Sequence, residues 1–140
     1  MKSFEFTVAG ENYSGLTASA IEQQKLLRIV IQSGVAGLIS GELTDEKTGE
    51  THEISDLDKV FYITIMQDGF FEKAVDIVTG KSGNKGDLIK TAAGVPVTAE
   101  MFDDNIHRWL LIIAEAIRGN LAGFTELTAA ENLAGASENQ

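Results

Sequence analysis

Apolar and polar residues alternate at the start of the chain. Residues 4–8, Phe-Glu-Phe-Thr-Val, put Phe4, Phe6 and Val8 on one face, the period-two signature of a strand. Ala9-Gly10-Glu11-Asn12 reads as a turn and Tyr13-Ser14 as a return, so a short hairpin is expected at about 4–14. Two strands alone are marginal in water, so this hairpin must lean on a helix or on another subunit.

The period then changes. Ser19-Ala20-Ile21-Glu22 is a capping-box pattern and predicts a helix from about 20 to 33. Ala20, Leu27, Val30 and Ile31 line one side of it, widened by Leu26 and Ile29, and Ser33-Gly34 is a stop. Residues 35–43 are apolar enough for a short helix, but Gly37 and Gly41 weaken it. Residues 44–55 read as an exposed loop with a turn at Thr48-Gly49 and a short alternating stretch at 51–54. Ser55 is a good N-cap, followed by acids in the first turn. Leu57, Val60, Phe61 and Ile65 then recur at helical spacing. The β-branched and aromatic run Val60–Ile65 leaves a strand as the alternative, and helix is the preferred reading. After Asp68-Gly69, helical spacing resumes with Phe71, Ala74, Val75 and Val78.

Residues 79–86 form a polar, glycine-rich loop, 87–93 suit a helical turn or two, and Gly94–Val97 is an extended break with the single proline. Thr98 is expected to cap a new helix. Its periodicity is the clearest in the chain: Phe102, Ile106, Trp109, Ile113 and Ala116/Ile117 recur at steps of three and four, with Leu110, Leu111 and Ile112 on other sides. A helix apolar over so much of its circumference is deeply buried or pairs with another chain. Gly119-Asn120 is expected to bend or end it, and Leu121, Phe124 and Leu127 extend a last amphipathic piece. Residues 128–140 carry few apolar anchors and are expected to fray. The predicted fold is mainly α-helical with a small N-terminal β-hairpin (α+β), a single compact domain over 1–127.

Composition narrows the function classes. The 140 residues have a formal net charge of −10, 44% hydrophobic residues and no cysteine. The length suits one domain with a real core. Without cysteine there are no disulfides, thiolate metal sites or cysteine nucleophiles, which fits a reducing compartment. No apolar run approaches a membrane span, and the first residues lack a signal-peptide core. A soluble, intracellular protein is expected. The acidity argues against nucleic acid as a partner, because phosphate binding needs gathered Lys and Arg. The acidity concentrates at 42–58, where seven carboxylates face Lys47 alone. That stretch is either a patch for a basic partner or a solvated loop, and the solvated loop is the simpler reading.

Chemistry-bearing motifs are missing. Gly80-Lys81-Ser82 resembles the end of a phosphate-binding loop, but the required glycine five positions earlier is Val75. His52 lies near Glu53 and Asp56, and His107 pairs with Asp103 at helical spacing. Neither has a third ligand, so no metal site is expected. No carboxylate pair sits with a nucleophile, base and oxyanion donor. The expectation is a protein without cofactor or enzymatic activity.

The order of elements resembles a family. A hairpin (KSFEFTVAGENYSG) leads into a capped helix (SAIEQQKLLRIVIQSG), several helices follow, and a long apolar helix reaches Arg118-Gly119-Asn120-Leu121-Ala122-Gly123-Phe124. This layout, over residues 1–127, with Asn120 shortly before Phe124, resembles the tail assembly chaperones of long-tailed bacteriophages. The glycine-rich 80–86 loop departs from the larger members. The resemblance implies a non-catalytic protein of the host cytoplasm that coats the tape measure protein before tail tube subunits polymerise and is absent from the finished particle. It further implies the short form of a pair whose longer, frameshifted form recruits the tail tube protein. Such a chaperone is expected to self-associate into a homo-oligomer. Phe102, Ile106, Trp109, Ile113, Ile117 and Phe124 are the candidate interaction surface, with ordinary core as the alternative. Three rival functions stand beside it: a small acidic inhibitor or decoy that binds a basic host protein, a small enzyme or ligand-binding domain, which would need a deep polar pocket and which no motif supports, and a minor structural tail subunit.

Overall fold

The computed structural model describes the backbone of residues 2–44, 47–81 and 86–138, and side chains as far as Phe124 outside 43–46 and 82–85. The order is β1 (Ser3–Val8), β2 (Glu11–Leu16), α1 (Ala20–Gln32), α2 (Gly37–Ser40), β3 (Glu42–Thr44), β4 (Thr51–Glu53), α3 (Asp56–Thr64), α4 (Phe70–Thr79), β5 (Ile89–Thr91), a 3-10 turn (Ala99–Phe102) and α5 (Ile106–Glu138). The fold is α+β: among the described residues, five helices accompany a three-stranded antiparallel sheet, in the order β1-β2-β5, and a two-stranded antiparallel pair, β3 and β4.

β1 and β2 form the expected hairpin, in a register that pairs Phe4 with Gly15 and Phe6 with Tyr13. Its two-residue turn has positive φ at both positions, Ala9 at 53° and Gly10 at 81°. That is the twist a tight hairpin favours, and it is strained at the alanine. Phe4, Phe6 and Tyr13 stack along one face, with centroids 6.0 and 5.5 Å apart. The hairpin leans on two neighbours. One is β5, paired with β2 through Tyr13↔Thr91, Ser14↔Lys90 and Gly15↔Ile89. This corrects the helical turn expected at 87–93: Ile89–Thr91 pair instead with the open edge of β2, which satisfies their backbone groups. The other neighbour is α5, reached through the Phe4 ring. A Cβ on either Gly15 of β2 or Gly119 of α5 would collide with that ring.

α5 is the centre of the molecule and touches all four other helices, β1 and β2. Ile112, Ile113, Ala116, Ile117 and Leu121 have no solvent exposure. They meet Leu26 and Val30 of α1, Leu38 of α2, and Ala74, Ile77 and Val78 of α4 in one core. Ile31, expected on the inner side of α1, points outward instead.

Two expectations for this part of the chain need correction. The final helix starts at Ile106, not near 99. The residues before it form a 3-10 turn, and Asp103–Asn105 interrupt it, with the Asn105 carbonyl accepting the Arg108 N–H at 2.9 Å. The spacing hides this break because Phe102 still stacks on Trp109, centroids 6.2 Å apart. Second, Gly119-Asn120 does not end the helix, which runs on through both residues. Gly119 makes room for Phe4. The Asn120 Nδ2 donates to the Ala116 carbonyl and its Oδ1 accepts the buried Ala18 N–H, both at 2.8 Å. That second bond ties α5 to the start of α1, 102 residues away in sequence. Beyond these, the backbone of α5 is helical as far as Glu138; the side chains after Phe124 and residues 139–140 lie outside the described residues.

Candidate docking face on α3

Local chemistry builds α3 in line with the preferred helical reading. The Ser55 hydroxyl accepts the Asp58 N–H at 3.2 Å, and the Asp58 carboxylate accepts the Ser55 N–H at 2.9 Å. This reciprocal pair satisfies two donors that a helix start leaves open. The backbone and hydroxyl hydrogen bonds from Ser55 hold the Asp58 carboxyl below its ordinary value.

Three contacts set the rotation of α3 on the body. Ile63 and the following Met66 are buried in the core. The Tyr62 ring lies against Gly37 of α2, where a Cβ would sit 2.5 Å from the phenol oxygen. Burial raises the Tyr62 pKa, and the nearby Asp58 charge adds to that rise. Finally, the Lys59 ammonium meets the Glu115 carboxylate of α5 at 2.7 Å, and Arg118 approaches the same oxygen at 3.4 Å. The Lys59 and Glu115 side chains are only 13% and 18% exposed, so their separation would leave a mostly buried charge unpaired.

With that arc held inward, the opposite arc faces solvent. It carries Leu57, Phe61 and Ile65, one residue per turn, exposed by 63%, 57% and 60%. Scattered exposed apolar residues are ordinary, but three in a row on one helix face form a patch. The chain around it is acidic in sequence. From Thr48 to Glu72 it carries Glu50, Glu53, Asp56, Asp58, Asp68 and Glu72, and its one Lys or Arg is Lys59, which meets Glu115 at 2.7 Å and Asp56 at 3.4 Å.

The six residues expected from sequence as an interaction surface are split by the structure between core and surface. Ile113 and Ile117 have no exposure and belong to the core, because α5 is surrounded by other elements. Phe102, Trp109 and Phe124 are half-buried and pack on that core. Ile106 alone of the six is widely exposed, at 67%. Spacing identifies Leu57, Phe61 and Ile65 as helical neighbours, but it carries no signal that they point outward.

Other surfaces are less developed. A cleft of about 480 Å³ between α1 and α4 has Lys25, Arg28 and Lys73 on its rim, with Ile29, Phe70 and Ile77 beneath. Glu22 and Asp76 also line it, and Lys25 is paired to Glu22 at 3.1 Å. His52 and His107 lie exposed on β4 and α5. Among the described residues, no three His, Cys, Asp or Glu side chains are grouped to hold a metal ion. Of the sequence resembling a phosphate-binding loop, Gly80 is the left-handed cap of α4, with φ of 90°, and Ser82 lies outside the described residues. Among the described residues, no helix is long and apolar enough to cross a membrane. Comparison with known proteins adds no relative: no family model, curated protein or solved structure matches the chain.

Proposed function

We propose that this protein is a non-catalytic assembly chaperone of a long-tailed bacteriophage, which binds the tape measure protein and keeps it in solution in the host cytoplasm while the tail tube is built. The observation that carries this reading is the exposed Leu57–Phe61–Ile65 row in an acidic stretch of the chain. An exposed apolar row can cover the apolar faces of a long helical client, and a net charge of −10 keeps the resulting complex soluble. The resemblance in element order supports the same reading. On this proposal the chain is the short form, self-associates, and leaves the particle before completion, and a longer frameshifted form brings in the tail tube protein.

A phosphate-mimicking decoy is less well supported, because the acidic stretch 42–58 runs directly into three large exposed apolar side chains, Leu57, Phe61 and Ile65. The test is size-exclusion chromatography with light scattering, on the protein alone and mixed with a tape measure fragment from the same genome. A stable complex is expected. A strict monomer that ignores the fragment overturns the proposal, and recovery of the chain from purified particles points to a structural subunit instead.

A further inference from the structure

We propose that the outer face of α3 is the docking site for an amphipathic helix whose apolar seam is flanked by Lys or Arg. This rests on the chaperone reading for its biological setting, but its grounds are geometric. Leu57, Phe61 and Ile65 stand at i, i+4 and i+8 and are each more than half exposed. The row spans about 12 Å, a little over two helical turns. Such a ridge fits the groove of a second helix, read through its own i, i+3, i+4 anchors. Strand addition is not available here, since the α3 backbone groups are engaged within the helix and at its capped start.

Charge selects among helical partners. The row is bounded by Asp56 and Asp58 at one end and by Asp68 beyond the other, and the chain on both sides of it is acidic. Lys59, the cation within that stretch, meets Glu115 of α5 at 2.7 Å and Asp56 at 3.4 Å, which leaves Asp58 and Asp68 at the two ends without a cation from this stretch. A helix flanked by cations gains attraction during approach and pairing at contact. A second copy docking α3 against α3 would bring these carboxylates together, with −10 on each molecule. Anionic lipid is disfavoured for the same reason.

The experiment is a fluorescence-anisotropy titration of the full chain with labelled synthetic helices of about 20 residues. One peptide has a Leu seam with Lys flanks, one the same seam with Glu flanks, and one Lys flanks with Gln in the seam. The first is expected to bind at least about tenfold more tightly than either control, and more weakly as salt is raised. Phe61→Glu is expected to weaken it by about tenfold or more. Ile31→Gln, at a site on α1 that is 58% exposed, should leave it unchanged. These sites are on the surface, so circular dichroism should report a folded protein in each case.

Equal binding of the three peptides, or wild-type affinity in Phe61→Glu, overturns the proposal. So does a homodimer that Phe61→Glu dissolves while peptide binding persists. The two readings separate on the tape measure fragment. A fragment that binds wild type and Phe61→Glu equally removes the α3 site and leaves the chaperone standing. A fragment that fails to bind, beside a Lys-flanked peptide that binds through Phe61, removes the chaperone and leaves the site.

Discussion

α3 and α5 both carry apolar residues at steps of three and four, and they use them in opposite ways. Ile113, Ile117 and Leu121 of α5 are sealed from solvent, while Leu57, Phe61 and Ile65 around α3 stand mostly in it. The difference follows from the number of neighbours. α5 is enclosed by strands and helices on several sides, so a wide apolar circumference finds partners. α3 lies at the edge, and Ile63, Met66, Tyr62 and Lys59 already supply its inner contacts. Helical spacing shows that an apolar arc exists. It does not show how many arcs the fold has room to cover.

The largest test of this contrast is truncation in each helix. Ile113→Ala should lower the unfolding free energy in urea by about 2–5 kcal/mol, as lost burial plus a residual cavity. Phe61→Ala should stay within about 0.5 kcal/mol of wild type. Similar losses at both sites would break the comparison. Next comes the buried amide contact of α5. Asn120→Ala leaves the Ala18 N–H without its acceptor and should cost about 1–3 kcal/mol. Hydrogen exchange at the Ala18 amide should accelerate with it.

A pair of glycines sharpens the picture of α5. Gly123 is exposed, with open space where an added methyl would sit, so Gly123→Ala should stabilise by up to about 1 kcal/mol through helix propensity. Gly119→Ala brings the same propensity gain but meets the Phe4 ring, and a net loss of about 1–2 kcal/mol is expected. In a Phe4→Ala background the Gly119→Ala loss should shrink or reverse, which a double-mutant cycle reads directly.

The smallest effect concerns the capped start of α3. The folded Asp58 carboxyl lies below its ordinary value. Its contribution is therefore present above the ordinary aspartate range, near about 3.9, and is lost as pH falls through that range to the lower folded value. Protection of the first-turn amides of α3, measured against their intrinsic exchange rate at the same pH, should fall in acid, and Asp58→Asn should remove that pH dependence while α5 is unaffected.

Much of the fold is legible in the sequence because it is local. Ser19 and Ser55 read as caps, and both hydroxyls accept the expected N–H, from Glu22 and Asp58. The hairpin differs from its expected limits by a residue or two at each end. The departures have a common cause in distant partners. β5 is a strand because β2 lies beside it, and Gly119 passes through a helix because Phe4 occupies its side. Asn120 stands out in the sequence for its place before Phe124; its bond to Ala18, across 102 residues, has no local signature. The docking row is half legible: its spacing shows in the sequence, and its direction does not.

Within the reach of one or two turns of chain, residue order is enough. Caps, the tight hairpin, the helical period of α3 and the acidity around it all arise from neighbours in sequence, whose interactions are present before the chain folds. Exposure is a different kind of property. Whether an apolar arc is sealed or open depends on which elements pack against it, and that is settled only when α5 gathers the sheet and the other helices around itself. That packing buries Ile113 and Ile117, and it leaves Leu57, Phe61 and Ile65 facing water.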